Sequence, residues 1–599
     1  MSKKIVVAID LGTSRSAYAY SIQGRAQEDV IIRVPEGSLP SVSAMKTETA
    51  VLLKGTHPHD VVAFGRAAGE RFIEQFEDDE APNDSMLFRW FKKELCERRG
   101  YQSDDEAVVT AEGGQELPLM VVMTAVLRHF KEDAITHLSS VSEMPQTVED
   151  VTWVVTIPAV YDDFAKRFMR VAAHKAGITS AVDSPSLQLC LEPEAACLAV
   201  TSKDAPHLAQ AGTKAMILDC GGGTVDITTH EILSMTPLRL KELLPPTGGA
   251  WGSTRVDEEF MGWCEVFFGK EQYAQARPTS SFYNLLAQWE EGKTSFGGEG
   301  GGSVRLNVVE VSRHLDIDID KMQVYLFFNR NVAVTASALD LKTHAKQQEL
   351  RSAFNDKQRE PQLHVKGGKY LVVLPAALVE SFFAPTIKNI VSCLGNLKRN
   401  KSLAGLKYVF LVGGFSSSPL IQAAARSELH GEGRVVLAAL RPDVAIVRGA
   451  VHFANNAKTF TTRKARLTYG VLTTTAYDDA DPEHVLRQQL VEFGHIGVFS
   501  GHLKIGDDIP LDGACPRQCY GPVSVRQTSV EIEVLASRER DVRFPDKDST
   551  FSIGKVTVPL DMGVSIVHRA VDVQFFFGGT ELSVSCCRQT TGEKVGTAV

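Results

Sequence analysis

Two short segments of this sequence repeat one piece of chemistry. Asp10-Leu11-Gly12-Thr13-Ser14 follows an apolar run at residues 5–9, and Asp219-Cys220-Gly221-Gly222-Gly223-Thr224-Val225-Asp226 follows another at 215–218. Glycine lets a backbone turn tightly and bring its N–H groups close to a phosphate. Thr13, Ser14 and Thr224 add hydroxyl donors. An aspartate at the end of each run can orient a hydrated magnesium ion, which prefers oxygen ligands and keeps several waters. One such turn reads equally well as a simple tight turn. Two in the same context read as the halves of one phosphate site and as an old duplication.

The elements that must position these turns are legible as further apolar runs. Residues 151–157 precede Pro158-Ala159, and residues 408–412 precede Gly413-Gly414. Continuous β-branched runs of this length suit strands buried on both faces. Helical patterns lie between them, as at 163–176, where Phe164, Phe168, Val171 and Ala172 share a face. Residues 1–455 therefore read as α/β. From residue 466 onward the period changes. Val530, Ile532 and Val534 alternate with Ser529, Glu531 and Glu533, and Val571, Val573, Phe575 and Phe577 alternate with more polar neighbours. Period two of this kind predicts an antiparallel β domain over 466–599. Residues 456–465, polar and basic, read as a linker, and the Gly-rich tract 297–303 as a surface loop.

Composition bounds the function class. A chain of 599 residues exceeds one hydrophobic core, and 44% hydrophobic with 23% charged residues excludes a disordered or fibrous protein. The excess of 73 acidic over 64 basic residues, net charge −9, argues against nucleic acid as a partner. Ten irregularly spaced cysteines read as reduced thiols. The first apolar run is too short for a signal peptide, and no stretch reads as a transmembrane segment, so the expected location is cytoplasmic or nuclear.

Several candidates have plainer readings. Gly292-Lys293-Thr294 looks like the end of a Walker loop, but position 287 is Ala and the stretch is helical in pattern. His57-Pro58-His59-Asp60 lacks a third ligand and reads as an exposed loop. Cys515, Cys519, Cys586 and Cys587 read as reduced thiols, whereas Cys220 sits inside the phosphate turn, where oxidation would obstruct a nucleotide. Arg463, Lys464 and Arg466 read as solvated linker charges, and Phe575-Phe576-Phe577 as a core strand.

The order of these motifs resembles the actin–hexokinase–heat-shock ATPase superfamily. Ile9 to Ser14 is similar to its first phosphate motif, Leu218 to Asp226 to its second, and Leu411-Val412-Gly413-Gly414-Phe415 with Pro419 to its adenosine motif. Ile157-Pro158-Ala159, Leu191-Glu192-Pro193-Glu194-Ala195-Ala196 and Pro442-Asp443-x-Ala445 narrow the resemblance to the seventy-kilodalton heat-shock chaperones. The Thr247-Gly248-Gly249 turn with Val256-Asp257-x-x-Phe260 looks like the divergent member-twelve branch. The strand motif at 579–585, followed by Thr590-Thr591-Gly592, is similar to the end of the family's peptide-binding β-sandwich.

The resemblance implies an actin-like two-lobed ATPase with ribonuclease-H-like duplicated subdomains, followed by a C-terminal antiparallel β-sandwich. It implies ATP/ADP and Mg2+ as ligands, the metal held through waters by Asp10 and Asp219. Thr13, Ser14, Gly12, Gly221, Gly222, Gly223 and Thr224 would cradle phosphates, joined by Gly248 and Gly249. Asp226 would place the attacking water, Glu192 would be the cleft carboxylate, and Lys92 or Lys93 would meet the γ-phosphate. Gly413, Gly414 and Phe415 would face the nucleoside, with Glu290 and Lys293 opposite and Asp443 beneath.

Some residues depart from the pattern. Ser417 and Thr294 stand where the family carries basic residues near adenine, Glu194 stands where it carries Thr, and the linker is not aliphatic. The chain ends at Val599, so a β module without the helical lid is expected. The implied activity is Mg-dependent attack of water on the ATP γ-phosphate in a chaperone-like protein, with unfolded or extended peptide, or a specific client, bound by 466–599, and with co-chaperones as further partners. A nucleotide-gated adaptor with little turnover, and a small-molecule kinase of the same superfamily, stay open.

Overall fold

The computed structural model describes residues 5–22, 30–38, 45–55, 60–77, 84–97, 107–142, 144–201, 210–297, 302–314, 361–366, 369–429, 431, 433–456, 459–492, 494–509, 513–546, 548–577, 581–589 and 591–598. His57 to His59, most of the Gly-rich tract, residues 578–580 and Thr590 lie outside the described residues.

All four apolar runs are central strands. Ile5–Leu11 is buried along its whole length. It pairs antiparallel with Arg15–Ile22 on one side and parallel with Val151–Ile157 on the other, which in turn pairs parallel with Leu187–Leu191. The second sheet repeats the plan. Lys214–Cys220 pairs antiparallel with Val225–Met235 and parallel with Leu406–Val412. The register puts Asp10 opposite Ala17 and Asp219 opposite Asp226. Each sheet thus carries its aspartate at the exit of a strand that leads into a hairpin turn. Strands enclosed by neighbours on both sides need apolar side chains on both faces, which explains the unbroken runs.

Three cores hold these sheets. The outer face of the first packs on Leu119–Ser142 and Asp163–Lys175. Asp162 caps the latter helix by accepting the Ala165 N–H at 2.8 Å. The inner faces of both sheets share a cluster with Glu192–Ala199 and Ala445–Asn455, two small-residue helices packed on one another between the lobes. The outer face of the second sheet is covered by Thr254–Phe268, Ser280–Ser295, Ala376–Lys398 and Pro419–Leu429. By length and composition Ala376–Lys398 is apolar enough to cross a membrane, contrary to the expectation that no stretch is. Its Leu378, Val379, Phe382, Phe383, Ile390 and Leu394 are buried in this third core, and that packing accounts for its apolarity.

C-terminal to these lobes stand two four-stranded antiparallel sheets. One has the order His495–Leu503, Thr468–Ala476, Ser529–Ser537, Thr550–Pro559; the other Gln518–Tyr520, Val571–Phe576, Ser583–Arg588, Lys594–Ala598. Val471, Ile532, Val534 and Val558 from the first share a core with Val571, Val573, Phe575 and Val584 from the second. Of the aromatic run, Phe575 is fully buried and Phe577 packs edge-on to Tyr469.

The segment expected to be a solvated linker is more ordered than its composition suggests. Phe460–Lys464 is a strand of the second sheet, parallel to Leu238–Gly249 and antiparallel to Asp508–Ile509. Arg463 makes a two-pronged pair with buried Glu194 at 2.8 and 3.0 Å. The Lys464 N–H donates to Glu242 Oε2 at 2.7 Å. Charges that look solvated in sequence are only partly exposed here: Arg463 meets Glu194, the Lys464 ammonium meets Asp508 at 2.6 Å, and Arg466 meets backbone carbonyls.

Candidate functional site

The two hairpin turns meet at one end of an open cleft between the lobes. A Cβ placed on Gly222 would lie 2.2 Å from Ser14 Oγ, and one on Gly223 would lie 2.3 Å from Thr13 Oγ1, so the turns approach as closely as glycine permits. The first turn is braced by Thr49, whose hydroxyl donates to Gly12 O at 2.7 Å. The second is closed by the Gly221 N–H to Thr224 O at 2.9 Å and braced by the Thr254 hydroxyl on Gly222 O at 3.0 Å.

The cleft wall contains Asp10, Gly12, Thr13, Ser14, Lys92, Glu192, Gly221, Gly222, Gly223, Thr224, Glu290, Lys293, Gly413, Gly414, Phe415 and Asp443, most of the residues that the sequence singles out. Asp219 and Asp226 lie just behind it. Gly413 adopts φ +80°, and a Cβ there would come 2.4 Å from Asp219 Oδ1, so the aspartate abuts the wall through a glycine. Gly248 and Gly249 do not reach the cleft: they pair with Asp226 and Val225 within the second sheet. They are expected among the cofactor-binding residues but are not among the wall residues, whereas Ser253, a few residues on, is.

Four carboxylates gather at the phosphate end, in unlike environments. Asp10 is satisfied at both oxygens: Thr156 donates to Oδ1 at 3.0 Å, and the Lys46 ammonium donates to Oδ2 at 2.5 Å. Glu192 accepts from Lys92 at 2.6 Å; burial pushes its carboxyl up while Lys92 pulls it down, with burial prevailing. Asp219 Oδ1 has no hydrogen-bond partner among the described residues. Burial, then the neighbouring Glu192, Asp226 and Asp10 charges, push that carboxyl well above the usual range. Asp226 Oδ1 accepts the Val160 N–H at 2.8 Å, and burial followed by Glu192 raises its carboxyl to about 7.

This donor set fits a divalent cation. Among the described residues no three His, Cys, Asp or Glu side chains are placed to ligate one ion directly; magnesium is commonly held by one or two carboxylates with waters and substrate phosphate. The anchor of that kind is Asp219, with its unsatisfied oxygen. Asp10, expected to share the task, accepts one hydrogen bond at each oxygen and keeps a lone pair on each for a metal-bound water.

Of Lys92 and Lys93, Lys92 is the one that lines the cleft. Trp90 takes a left-handed φ of 55° ahead of the short turn Phe91–Lys93. Lys92 turns inward to Glu192, while Lys93 turns to Glu258 at 2.5 Å on the second lobe.

At the other end of the cleft, Lys293 is buried between Asp257 at 2.7 Å and Glu290 at 2.5 Å, and the Trp289 N–H also donates to Asp257. Arg15 approaches Glu290 from the first lobe at 3.6 Å, an ion pair across the cleft mouth. Ser417 and Thr294 line this end, the latter with its hydroxyl folded back onto Glu290 O at 2.8 Å. No stacking cation stands in either place; Phe415 lies near-parallel to Phe383, centroids 6.1 Å apart. Cys220 is wholly buried, and burial holds its thiol far above the reactive range.

Sequence reasoning missed Lys46, Arg15, Ser253, Phe383 and Ile446 as wall residues. Lys46 had no motif to reveal it, since it precedes only the two-residue strand Thr47–Glu48.

No family model matches the chain. Heat shock 70 kDa protein 12A of Homo sapiens is 27% identical over 657 aligned residues, spanning 99% of this chain and 90% of the relative. The Mus musculus protein of the same name is 28% identical, with the same coverage. Heat shock 70 kDa protein 12B of Homo sapiens is 26% identical, spanning 100% of this chain and 91% of its own. Chaperone protein dnaK1 of Prochlorococcus marinus (strain MIT 9313) is 25% identical over 49% of this chain and 40% of its own. The likeness implies the actin-like ATPase fold, with which the two mixed sheets agree.

Proposed function

We propose that this chain, a divergent member of the seventy-kilodalton heat-shock family akin to proteins 12A and 12B, is an ATP-binding, chaperone-like protein that hydrolyses ATP to ADP and phosphate. The observation that carries the reading is the meeting of two Asp-Gly-Thr turns, from two sheets of like plan, at the end of a cleft where four carboxylates and two lysines gather.

In this reading Gly12, Thr13, Ser14, Gly221, Gly222, Gly223 and Thr224 cradle the phosphates with backbone N–H and hydroxyl donors. Gly413, Gly414 and Phe415 receive the nucleoside, opposite Glu290 and Lys293 and beside Asp443. Lys92 neutralises charge on the γ-phosphate. Asp226, whose carboxyl titrates near neutrality, orients the attacking water and can accept its proton. Magnesium, for which Asp219 is the fitting anchor, would supply charge neutralisation to the phosphates. Positioning and charge neutralisation account for most of the expected catalysis.

Residues 1–455 form the nucleotide engine, 456–465 the connection, and 466–599 a β-sandwich that binds unfolded or extended peptide segments or one client. Co-chaperones would regulate it, in the cytoplasm or nucleus.

ATP hydrolysis by the full chain, with and without unfolded peptide, tests the reading. Turnover should be lost with Asp10→Asn and with Thr224→Ala. Tight ATP binding with no turnover in the unmodified chain would replace the ATPase by a nucleotide-gated adaptor. Phosphate transfer to an added metabolite would make it a kinase.

A further inference from the structure

Lys46 is the residue of the cleft for which neither the sequence motifs nor the family roles account. Its side chain is 10% exposed, and its ammonium stands 2.5 Å from Asp10 Oδ2, itself almost wholly buried. Lys46 also belongs to the cleft wall, beside Thr13, Ser14 and Thr224. A lysine has three N–H donors. One is given to Asp10, its hydrogen-bond partner among the described residues, and the others remain for an oxygen in the cleft.

The charge balance of the site shows what this cation does. Asp10, Glu192, Asp219 and Asp226 bring four carboxylates together in a buried space. Lys92 answers Glu192 and Lys46 answers Asp10, while among the described residues Asp219 and Asp226 each keep an unsatisfied oxygen. A phosphate chain entering such a place meets repulsion that bound cations must overcome. One cation, tethered by the chain itself, is held at Asp10 by an ion pair. A diffusible ion is therefore needed chiefly on the Asp219 side.

Resting on the proposal that ATP occupies this cleft, we infer that Lys46 is a built-in phosphate-site cation: seated on Asp10, it takes over part of the work of the divalent ion, so that nucleotide stays bound when divalent ions are withdrawn. Its partner in this role is the polyphosphate of a nucleoside di- or triphosphate. Lys92, paired with Glu192, is the second lysine at the phosphate end of the same cleft. Asp10, in turn, positions the ammonium, and this gives the first aspartate a task different from that of the second.

The test is calorimetric titration of ATP into the full chain, in magnesium and in excess EDTA, for the unmodified protein, Lys46→Met and Lys46→Arg. In the unmodified chain, removal of magnesium should weaken ATP binding by less than about tenfold. Lys46→Met should lose at least about a further tenfold in EDTA but only about threefold in magnesium, and Lys46→Arg should recover most of the loss. Equal losses for Lys46→Met in both conditions would overturn the inference, as would abolition by EDTA of binding to the unmodified chain. If the unmodified chain binds no ATP even in magnesium, the nucleotide reading itself falls, an outcome separate from the other two. Because Lys46→Met leaves Asp10 buried without its cation and can fail to fold, the magnesium and EDTA arms on the unmodified chain decide the matter alone.

Discussion

Asp10 and Asp219 occupy matching places in two sheets of like plan, yet their surroundings have diverged. The first accepts from Thr156 and Lys46; the second keeps a free oxygen against Gly413. That position follows from backbone geometry. Gly413→Ala would place a methyl group at left-handed φ and within 2.4 Å of Asp219 Oδ1. We expect it to cost about 1–2 kcal/mol from the left-handed backbone alone, with ATP affinity lowered at least about tenfold as Asp219 shifts; melting curves and ATP titration measure the two effects. The Lys92–Glu192 pair makes a second prediction. Both groups are buried, so Lys92→Met strands a carboxylate and should destabilise the chain by about 3–5 kcal/mol. Adding Glu192→Gln should restore most of that loss in chemical denaturation, since no unpaired charge is then buried. At this scale the sequence was largely readable, because turn glycines and the aspartates beside them are local signals. Lys46 was not, because its meaning lies in a partner 36 residues away and in no pattern around it.

The most informative element is the strand Phe460–Lys464. Its polar, basic composition reads as linker, since a short strand whose side chains stay partly exposed carries little apolar signal. What fixes it is long-range: Glu194 lies 269 residues from Arg463, and Glu242 lies 222 from Lys464. Arg463→Met would leave Glu194 wholly buried without its guanidinium. The expected cost is about 3–5 kcal/mol, seen as a lower melting temperature and as new protease cutting near residue 460. Glu242 adds a pH dependence. Burial raises its carboxyl from 4.5 to about 7, against the pull of the Lys464 N–H. A folded-state value raised above the unfolded one favours the folded chain at low pH. That contribution is complete below about 4.5 and is lost as pH rises through about 7. Glu242→Gln should therefore flatten the fall in melting temperature between pH 5 and pH 8. An unchanged slope would mean that the carboxyl is ionised throughout and held by Arg463 and Arg466.

For the whole molecule, the question is whether the cleft and the C-terminal sheets are mechanically joined. The contacts between them fall on both lobes: Asp508–Ile509 joins the second sheet beside Phe460–Lys464, and a second set reaches the first lobe. Arg170 holds Glu581 through a two-pronged pair, and the Tyr469 hydroxyl donates to Asp163 at 3.0 Å. Arg466 donates to the carbonyls of Ala159 and Tyr161. These carbonyls flank Val160, whose N–H holds Asp226, while the Tyr161 hydroxyl donates to Lys92 O at 3.2 Å and Pro158 lines the cleft. One short loop thus touches the cleft carboxylate on one side and the start of the C-terminal sheets on the other. A shift of Asp226 on loss of the γ-phosphate would move Val160 and, with it, the carbonyls on which Arg466 rests. A contiguous contact route is a physical candidate for coupling, but coupling itself is a free energy that must be measured between two sites. Arg466→Met should therefore leave ATP affinity within about threefold while abolishing the effect of ATP on peptide release from the C-terminal sheets. By reciprocity, the effect of peptide on ATP affinity should vanish with it. Arg170→Ala, which cuts a contact that does not reach the loop, should loosen docking yet keep a diminished form of both effects. If Arg466→Met preserves both in full, the loop at 158–161 is only a resting place for the C-terminal module, and communication must run through the Glu194–Arg463 strand instead.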